Sequence, residues 1–169
     1  MSGRRRDIVI AIFPNTRGFG YAVFEGVLPI DWGVSDVAGG NRNETCIRRI
    51  MTLLDRYRPD VLLLRDALGT RGRRVAELIE AVAALSRDPS AVCIQVSRAQ
   101  IKEAFGYLGH PTRQAIARAI AERIPFFEPL VPPVRKIWNS EDRWMGLFDA
   151  VALALTYLDD DLSALASSA

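Results

Sequence analysis

Short apolar segments separated by turn residues open the chain and predict β-strands. The segments 8–13, 18–24 and 29–37 are rich in β-branched and aromatic residues, and proline, asparagine or glycine residues punctuate the chain between and after them. Because the connections between the segments are short, the three strands are expected to pair antiparallel as a meander.

The spacing of apolar residues then changes from every second residue to the helical period. It predicts a helix that has one apolar face and stops before Pro59. The residues on that face are Ile47, Ile50, Met51, Leu54 and Tyr57. The continuous apolar run 61–64 is typical of a central parallel strand that is covered on both faces. Apolar residues between Val75 and Leu85 predict a second helix, and a second buried strand follows at 91–96. This order implies a right-handed crossover.

The rest of the chain is predicted to be helical, with short helices at 98–105 and 111–124 and a proline-rich surface loop at 125–133. The sequence therefore predicts an α/β fold, in which helices flank a mixed sheet of three meandering strands and two parallel strands.

The last helix is expected to begin near Asn139 or Ser140, either of which can cap it. It should end at about Leu158, because the aspartates at 159–161 are unfavourable at a helix C-terminus. With 169 residues the chain is expected to form one domain. The expected division is a basic N-terminal tail at 1–7, the domain at 8–158 and a C-terminal tail at 159–169.

Composition and charge narrow the class of protein only slightly. With 49% hydrophobic and 25% charged residues, the chain is typical of globular proteins. A formal net charge of +2 does not by itself indicate nucleic-acid binding, so the distribution of arginine matters more. Arginines cluster at 4–6, at 71–74 and near Arg113 and Arg118. Such clusters either bind phosphates or form solvated helix faces.

Cysteine spacing and hydropathy favour a cytoplasmic protein that does not bind membranes. Cys46 and Cys93 have neither the spacing of a zinc site nor a pairing pattern, so neither a disulfide nor a zinc site is expected. The apolar run 8–13 is too short to span a membrane and lacks the features of a signal peptide.

Four segments resemble RuvC-type Holliday junction resolvases, which have an RNase H-like fold. The segment from Phe13 to Tyr21, with sequence FPNTRGFGY, resembles their opening motif, in which an aspartate stands in place of Phe13. The segment 58–65 is similar to the family's strand that ends in a catalytic glutamate, where this chain has Arg65.

The other two segments lie in the second half of the chain. The segment 96–102 and the residues up to Ile116 resemble the family's basic segment, and this match puts Lys102 and Arg113 in the places of its DNA-contacting lysines. The run beginning at Asp149 is similar to the terminal helix with its two aspartates. Asp149 matches the second aspartate, and Gly146 occupies the place of the first.

The resemblance implies the fold but argues against the family's metal-dependent chemistry. Members cleave phosphodiesters with two divalent ions held by carboxylates. Here Phe13, Arg65 and Gly146 replace three of the four carboxylates, so Asp149 is the only matching catalytic residue. One aspartate cannot organise a pair of ions, and no cofactor is expected. Mg²⁺ or Mn²⁺ would be needed only if acids at other positions bind the metal ions of an active endonuclease.

Other acids of the chain are poorly placed to replace the missing carboxylates, and Asp7 and Asp31 are interpreted as strand-edge acids. Asp66 should point away from Arg65, because successive side chains alternate along a strand unless the strand ends or bulges there. Glu141 and Asp142 are interpreted as first-turn acids that oppose the helix dipole. Asp142, on the same helix face, lies about 10 Å from Asp149, too far for one metal site.

The sequence thus favours a catalytically degenerate RuvC-like protein that binds structured DNA or RNA through Arg17, Lys102 and Arg113. Two alternatives stay open: an active metal-dependent, structure-specific endonuclease with relocated acids, and a protein-interaction module that does not bind nucleic acid. The resemblance also implies a homodimer, which would match the two-fold symmetry of a junction, although no segment identifies the interface.

Further predictions concern single side chains. Arg65 and Asp149 are expected to form an ion pair, with Phe13 packed over the guanidinium. His110 is interpreted as a loop or helix-start residue. The tryptophans either stack on bases or, as is commoner, are buried. They are Trp32, Trp138 and Trp144.

Overall fold

A mixed five-stranded sheet forms the centre of the molecule, with strand order β3-β2-β1-β4-β5. A computed structural model describes residues 7–85 and 91–167, with side chains described as far as residue 160. The strands are β1 (Ile8–Pro14), β2 (Gly18–Glu25), β3 (Leu28–Asp36), β4 (Val61–Arg65) and β5 (Val92–Val96). The first three pair antiparallel, whereas β1–β4 and β4–β5 are parallel pairs. The predicted meander and the two parallel strands are confirmed.

Helices cover both faces of this sheet. They are α1 (Arg42–Tyr57), α2 (Arg73–Leu85), α3 (Arg98–Ala104), α4 (Arg113–Arg123) and α5 (Met145–Ser167), with short 3-10 segments at Gly106–Leu108 and Pro125–Leu130. None of the helices in the described ranges has both the length and the apolarity needed to cross a bilayer.

The core is divided by the sheet, because alternate residues of each strand face opposite sides. Val9 and Ala11 of β1 pack on the side of α4 and α5, and Ile10 and Ile12 pack on the side of α1 and α2. The middle of β4 is buried on both sides in the same way. Both faces are therefore covered, and the carboxyl ends of the parallel strands are left to form a site.

Backbone contact between two glycines fixes α5 over the sheet. Gly20 of β2 lies opposite Phe13 of β1 and directly beneath the start of α5. A Cβ atom added to Gly20 would lie 1.9 Å from the carbonyl oxygen of Gly146, a distance that no real side chain can occupy. Glycine at position 20 is thus required by the close approach of helix and strand.

The start of α5 differs from the prediction. The helix begins at Met145 rather than near Asn139 or Ser140, because Asp142 supplies the capping interactions. Its carboxylate accepts a hydrogen bond from the Trp144 amide at 2.8 Å, and its carbonyl oxygen accepts one from the Met145 amide at 3.1 Å. Asp142 therefore precedes the helix and does not share a helix face with Asp149.

The predicted end of α5 near Leu158 is also wrong. The helix continues through the aspartates to Ser167. Asp159 thus lies two turns before the helix end, beyond the reach of the helix dipole, and Arg123 of α4 donates hydrogen bonds to both of its carboxylate oxygens, at 3.1 and 2.8 Å. The division into tails and domain stays a prediction, and the arginine cluster at 4–6 lies outside the described residues.

The proline-rich passage at 125–133 does not simply lie over the surface. Its 3-10 segment buries Phe127 completely. The ring of Phe127 packs edge-on against Trp32 at 5.0 Å and against Phe148 at 6.2 Å, between centroids. The prolines thus position a core residue that fills the space between the sheet edge and α5.

Candidate nucleic-acid interface

A cleft of about 750 Å³ opens where the carboxyl ends of the parallel strands meet α3, α4 and α5. Five residues singled out from distant sequence segments line it: Phe13, Arg65, Lys102, Arg113 and Asp149. Gly146 does not line this cleft, and Arg17 lines an adjoining groove instead. The fold therefore brings together most of the residues that the resemblance assigned to catalysis and binding.

Arg113 and Asp149 form a bidentate ion pair on one side of the cleft. Nε of Arg113 donates to Oδ1 of Asp149 at 3.1 Å, and Nη2 donates to Oδ2. The third donor, Nη1, bonds to the carboxylate of Glu141. Thr112 caps α4 by accepting a hydrogen bond from the Ala115 amide, so Arg113 is the first residue of the helix.

Burial and charge act on this pair in opposite directions. Burial raises the pKa of the Asp149 carboxyl, and the hydrogen bonds from Arg113 oppose that rise. Burial lowers the pKa of Arg113, but the two acceptor carboxylates outweigh it and leave the pKa raised. Arg113 therefore stays a cation, and it supplies the positive charge that a buried carboxylate needs.

The predicted ion pair between Arg65 and Asp149 is wrong. Arg113 already occupies both oxygens of Asp149, so Arg65 takes other partners. Its Nη1 donates to the carbonyl oxygen of Pro14 at 3.0 Å, and its guanidinium carbon lies 4.4 Å from the centroid of the Phe13 ring. The predicted packing of Phe13 over Arg65 is confirmed. Burial lowers the pKa of Arg65, against the charge of Asp149, which raises it.

Asp66 lines the cleft, because the strand ends just before it, which is the exception that the expectation from strand alternation allowed. The strand β4 ends at Arg65, so the alternation rule no longer applies to the next residue. Asp66, Glu141 and Asp149 are the acids that line the cleft. Within residues 7–85 and 91–160, whose side chains the structure describes, no three acid, histidine or cysteine side chains converge as a metal-binding group.

The residues present do not fit the pair of divalent ions that the resemblance implies. Such ions need carboxylate oxygens free to coordinate them. Here Arg113 binds both oxygens of Asp149 and one of Glu141, and Arg65 places another cation in the same cleft. The cleft is therefore suited to anions rather than to cations.

Three further cations line the cleft: Arg71, Arg98 and Lys102. None of them forms an ion pair with a described carboxylate. Ser97 and Gln100 form a reciprocal capping box at the start of α3, which fixes Arg98 on the first turn and Lys102 one turn further along. Unpaired cations on one wall of a concave site attract phosphate groups.

The predicted arginine cluster at 71–74 divides among different roles. Arg71 lines the cleft, whereas Arg73 forms an exposed pair with Glu77. Arg74 donates to the carbonyl oxygen of Thr16 at 2.9 Å and so holds the turn between β1 and β2. Of these three arginines, Arg71 is therefore the one placed to bind a ligand in the cleft, a difference that the sequence alone does not reveal.

Arg17 and His110 lie at the margins. Arg17 donates from Nη2 to the carbonyl oxygen of Glu141 at 2.6 Å, in a groove of about 680 Å³ next to the cleft. The structure therefore places Arg17 against the chain that leads into α5. His110 is exposed, precedes α4 and lines the cleft, in agreement with its interpretation as a loop residue.

Sequence comparison finds no relative of this chain: no protein-family model and no curated protein matches it. Comparison with solved structures, in contrast, finds proteins with a similar fold. Thermus thermophilus RuvC in complex with a Holliday junction substrate matches with a TM-score of 0.67 and 18% identity, over 92% of this chain and 96% of that chain. The fowlpox virus Holliday junction resolvase matches with a TM-score of 0.58 and 15% identity, over 90% and 99%.

A third similar structure is the yeast mitochondrial Holliday junction resolvase Ydc2, with a TM-score of 0.52 and 14% identity, over 89% of this chain and 78% of that one. At such identities the likeness concerns the fold. The chain has the RuvC-like, RNase H-like architecture, as the four sequence segments predicted.

Proposed function

Starting from a RuvC-like fold, we propose that this chain is a nucleic-acid-binding domain that holds the phosphate backbone of structured DNA or RNA in its cleft without metal-dependent cleavage. The observation that carries the proposal is the fork of Arg113 on Asp149 and Glu141. It engages Asp149, the only residue that matches a metal-binding acid of the family, with a cation that the protein itself supplies.

The cations left over support binding to phosphate. Arg71, Arg98 and Lys102 line the cleft and have no ion pair with a described carboxylate. Lysine and arginine that neutralise phosphates release counterions, and this release drives binding to nucleic acids of any sequence. The structures of Thermus thermophilus RuvC and of the fowlpox virus resolvase with Holliday junction DNA make a four-way junction the first ligand to test.

The test is a binding comparison of four-way junction, duplex, single strand and RNA–DNA hybrid, each at two salt concentrations. We expect affinity for at least one of these ligands, falling steeply as salt rises, because each phosphate contact releases a counterion. The same samples with Mg²⁺ or Mn²⁺ should yield no cleavage product. Absence of salt-dependent binding to every ligand would favour the protein-interaction module.

One observation favours an active endonuclease as the second candidate. Asp66 lies in the cleft together with Asp149 and Glu141, so acids at new positions face the region where a phosphodiester would bind. Junction cleavage that needs divalent metal and is lost in Asp149→Asn and Asp66→Asn would establish this candidate. Retained cleavage in both variants would point to a contaminating nuclease.

We further propose a cytoplasmic homodimer. Both cysteines are free thiols, which suits a reducing compartment. Two copies related by a two-fold axis would match the symmetry of a four-way junction. Light scattering with and without junction DNA measures the mass of the assembly, and a monomer in both conditions would contradict the dimer.

A further inference from the structure

An exposed apolar tip precedes α5. Within the chain segment 131–144, Ile137 is 97% exposed and Trp138 is 79% exposed. With Val134, which is 70% exposed, they form a cluster of accessible apolar side chains, and such patches mark interaction sites more often than single exposed residues do. The other tryptophans differ, because Trp32 packs against Phe127 and Trp144 is half-buried beneath Arg143.

Local contacts hold this tip in shape. Arg135 donates from Nε to the carbonyl oxygen of Asn139 at 2.8 Å, and the Asn139 amide donates to the carbonyl oxygen of Lys136 at 3.0 Å. The ammonium group of Lys136 lies 5.5 Å from the centroid of the Trp138 ring. The indole is therefore presented from a closed turn, with a cation beside its face.

The tip adjoins the proposed phosphate-binding cleft. Arg135 and Asn139 line the neighbouring groove of about 680 Å³, which shares Thr112, Arg113 and Glu141 with the cleft. A strand that leaves the cleft along this groove would reach the turn that carries Trp138.

Charge indicates which class of partner suits the tip. The acids of the segment are already engaged, since Glu141 pairs with Arg113 and Asp142 caps α5. Arg135 and Lys136 form no ion pair with any carboxylate of the described residues. An exposed indole beside unpaired cations matches a nucleic acid, whose bases offer flat faces and whose phosphates carry negative charge.

We propose that Trp138, supported by Ile137, stacks on unpaired bases of the bound nucleic acid, such as those at a branch point or in a single strand. This inference rests on the proposed function and adds the structural feature of the ligand that the domain recognises. Stacking favours unpaired bases, because in a continuous duplex both faces of each base are covered by its neighbours.

The test compares a gapped DNA, with 2-aminopurine in the gap, and an intact duplex of the same length. We expect Trp138→Ala to bind the gapped DNA about 5- to 150-fold more weakly and the duplex with unchanged affinity. Trp138→Phe should retain most of the affinity, because it keeps an aromatic face. The wild type should quench 2-aminopurine fluorescence, and Trp138→Ala should not.

Phe126→Ala is the matched control. Phe126 is 73% exposed but stacks on Trp32 and lines neither the cleft nor the groove, so its loss should change neither affinity. If Trp138→Ala binds each of the two DNAs as tightly as the wild type does, the stacking inference is overturned while the proposed function stays intact.

Three other results are also decisive. No binding of the gapped DNA by the wild type, with salt-dependent binding of another nucleic acid, would refute the inference alone, and no binding of any nucleic acid would refute the proposed function as well. An equal loss of affinity for both DNAs in Trp138→Ala would show that the tip does not recognise unpaired bases. Self-association of the free protein that Trp138→Ala abolishes, with DNA affinity unchanged, would assign the tip to protein docking.

Discussion

The guanidinium of Arg113 and the carboxylate of Asp149 meet through two parallel hydrogen bonds, one from Nε and one from Nη2. The Asp149 side chain is 10% exposed and that of Arg113 is 44% exposed. The aspartate of the pair is thus buried, whereas the arginine remains accessible to solvent. This geometry needs the planar fork of arginine, which lysine cannot reproduce.

Separating this pair should destabilise the domain. We expect Arg113→Lys and Asp149→Asn each to lower the free energy of unfolding by about 1–3 kcal/mol, less than for a fully buried pair because Arg113 is partly solvated. A double-mutant cycle from urea unfolding measures the coupling. The exposed pair Arg73–Glu77 is the control, with an expected coupling of about 0.5 kcal/mol or less. Equal couplings would mean that the Asp149 pair gives no special stability.

Removing cations from the cleft should weaken nucleic-acid binding in proportion to lost phosphate contacts. We expect Lys102→Ala and Arg98→Ala each to reduce the slope of log affinity against log salt by about one unit, with unfolding unchanged. Arg73→Ala, on the outer surface, should leave the slope as it is. Arg113→Ala tests the predicted contact of that residue, and its unfolding must be measured in parallel because Asp149 loses its partner. An unchanged slope in the Lys102 and Arg98 variants would place the binding surface elsewhere.

Rebuilding the acids should create a metal site only if Arg113 is removed as well. We expect Phe13→Asp, Arg65→Glu and Gly146→Asp together to give little stabilisation by Mg²⁺, because Arg113 still holds Asp149. Adding Arg113→Ala should free the carboxylate. Saturation at about one hundred times the dissociation constant then gives roughly 2.7 kcal/mol, or about 5–10 °C in the thermal midpoint.

Among these substitutions, Gly146→Asp introduces a steric conflict. A Cβ atom on Gly146 would lie 2.8 Å from the side-chain nitrogen of Asn15, so Asn15 must move. The wild type is the reference for the thermal midpoint with and without Mg²⁺. A magnesium-dependent shift already present in the wild type would contradict the anion-binding cleft.

Gly20→Ala should be among the most damaging single changes in the chain. The added methyl group would collide with the carbonyl of Gly146, and we expect a loss of about 3 kcal/mol or more, near the upper end for overpacking. Thermal unfolding compares it with Gly33→Ala, whose Cβ would meet only the Tyr21 side chain at 3.1 Å. Similar midpoints for both variants would show that α5 can shift away from β2.

The sheet could be predicted because local pattern and tertiary environment agree. The apolar run at 61–64 indicated a strand with two covered faces, and β4 is buried in this way between β1 and β5. The 125–133 passage could not be predicted, because the prolines indicated a loop whereas Phe127 enters the core. Its burial depends on Trp32 and Phe148, which lie far away in sequence.

The site was predicted as a set of positions but not as a set of contacts. The motifs identified Phe13, Arg65, Arg113 and Asp149, and all of them line the cleft. Which arginine would bind Asp149 depends on the direction of two helices, and sequence spacing contains no information on that. The cap at Thr112 was the available signal, because it places Arg113 at the start of α4.

The contact between Gly20 and Gly146 holds the start of α5 in place, so this side of the cleft is fixed while other parts of the cleft can adapt. Since the first turn of α5 rests on the backbone of β2, Asp149, one turn further along, cannot retreat or advance without lifting the helix from the sheet. Any change of shape that accommodates a new ligand must therefore come from other residues of the cleft, such as the side chains of α3 and α4. Substitutions on those two helices can change what the cleft accepts while the sheet beneath stays the same.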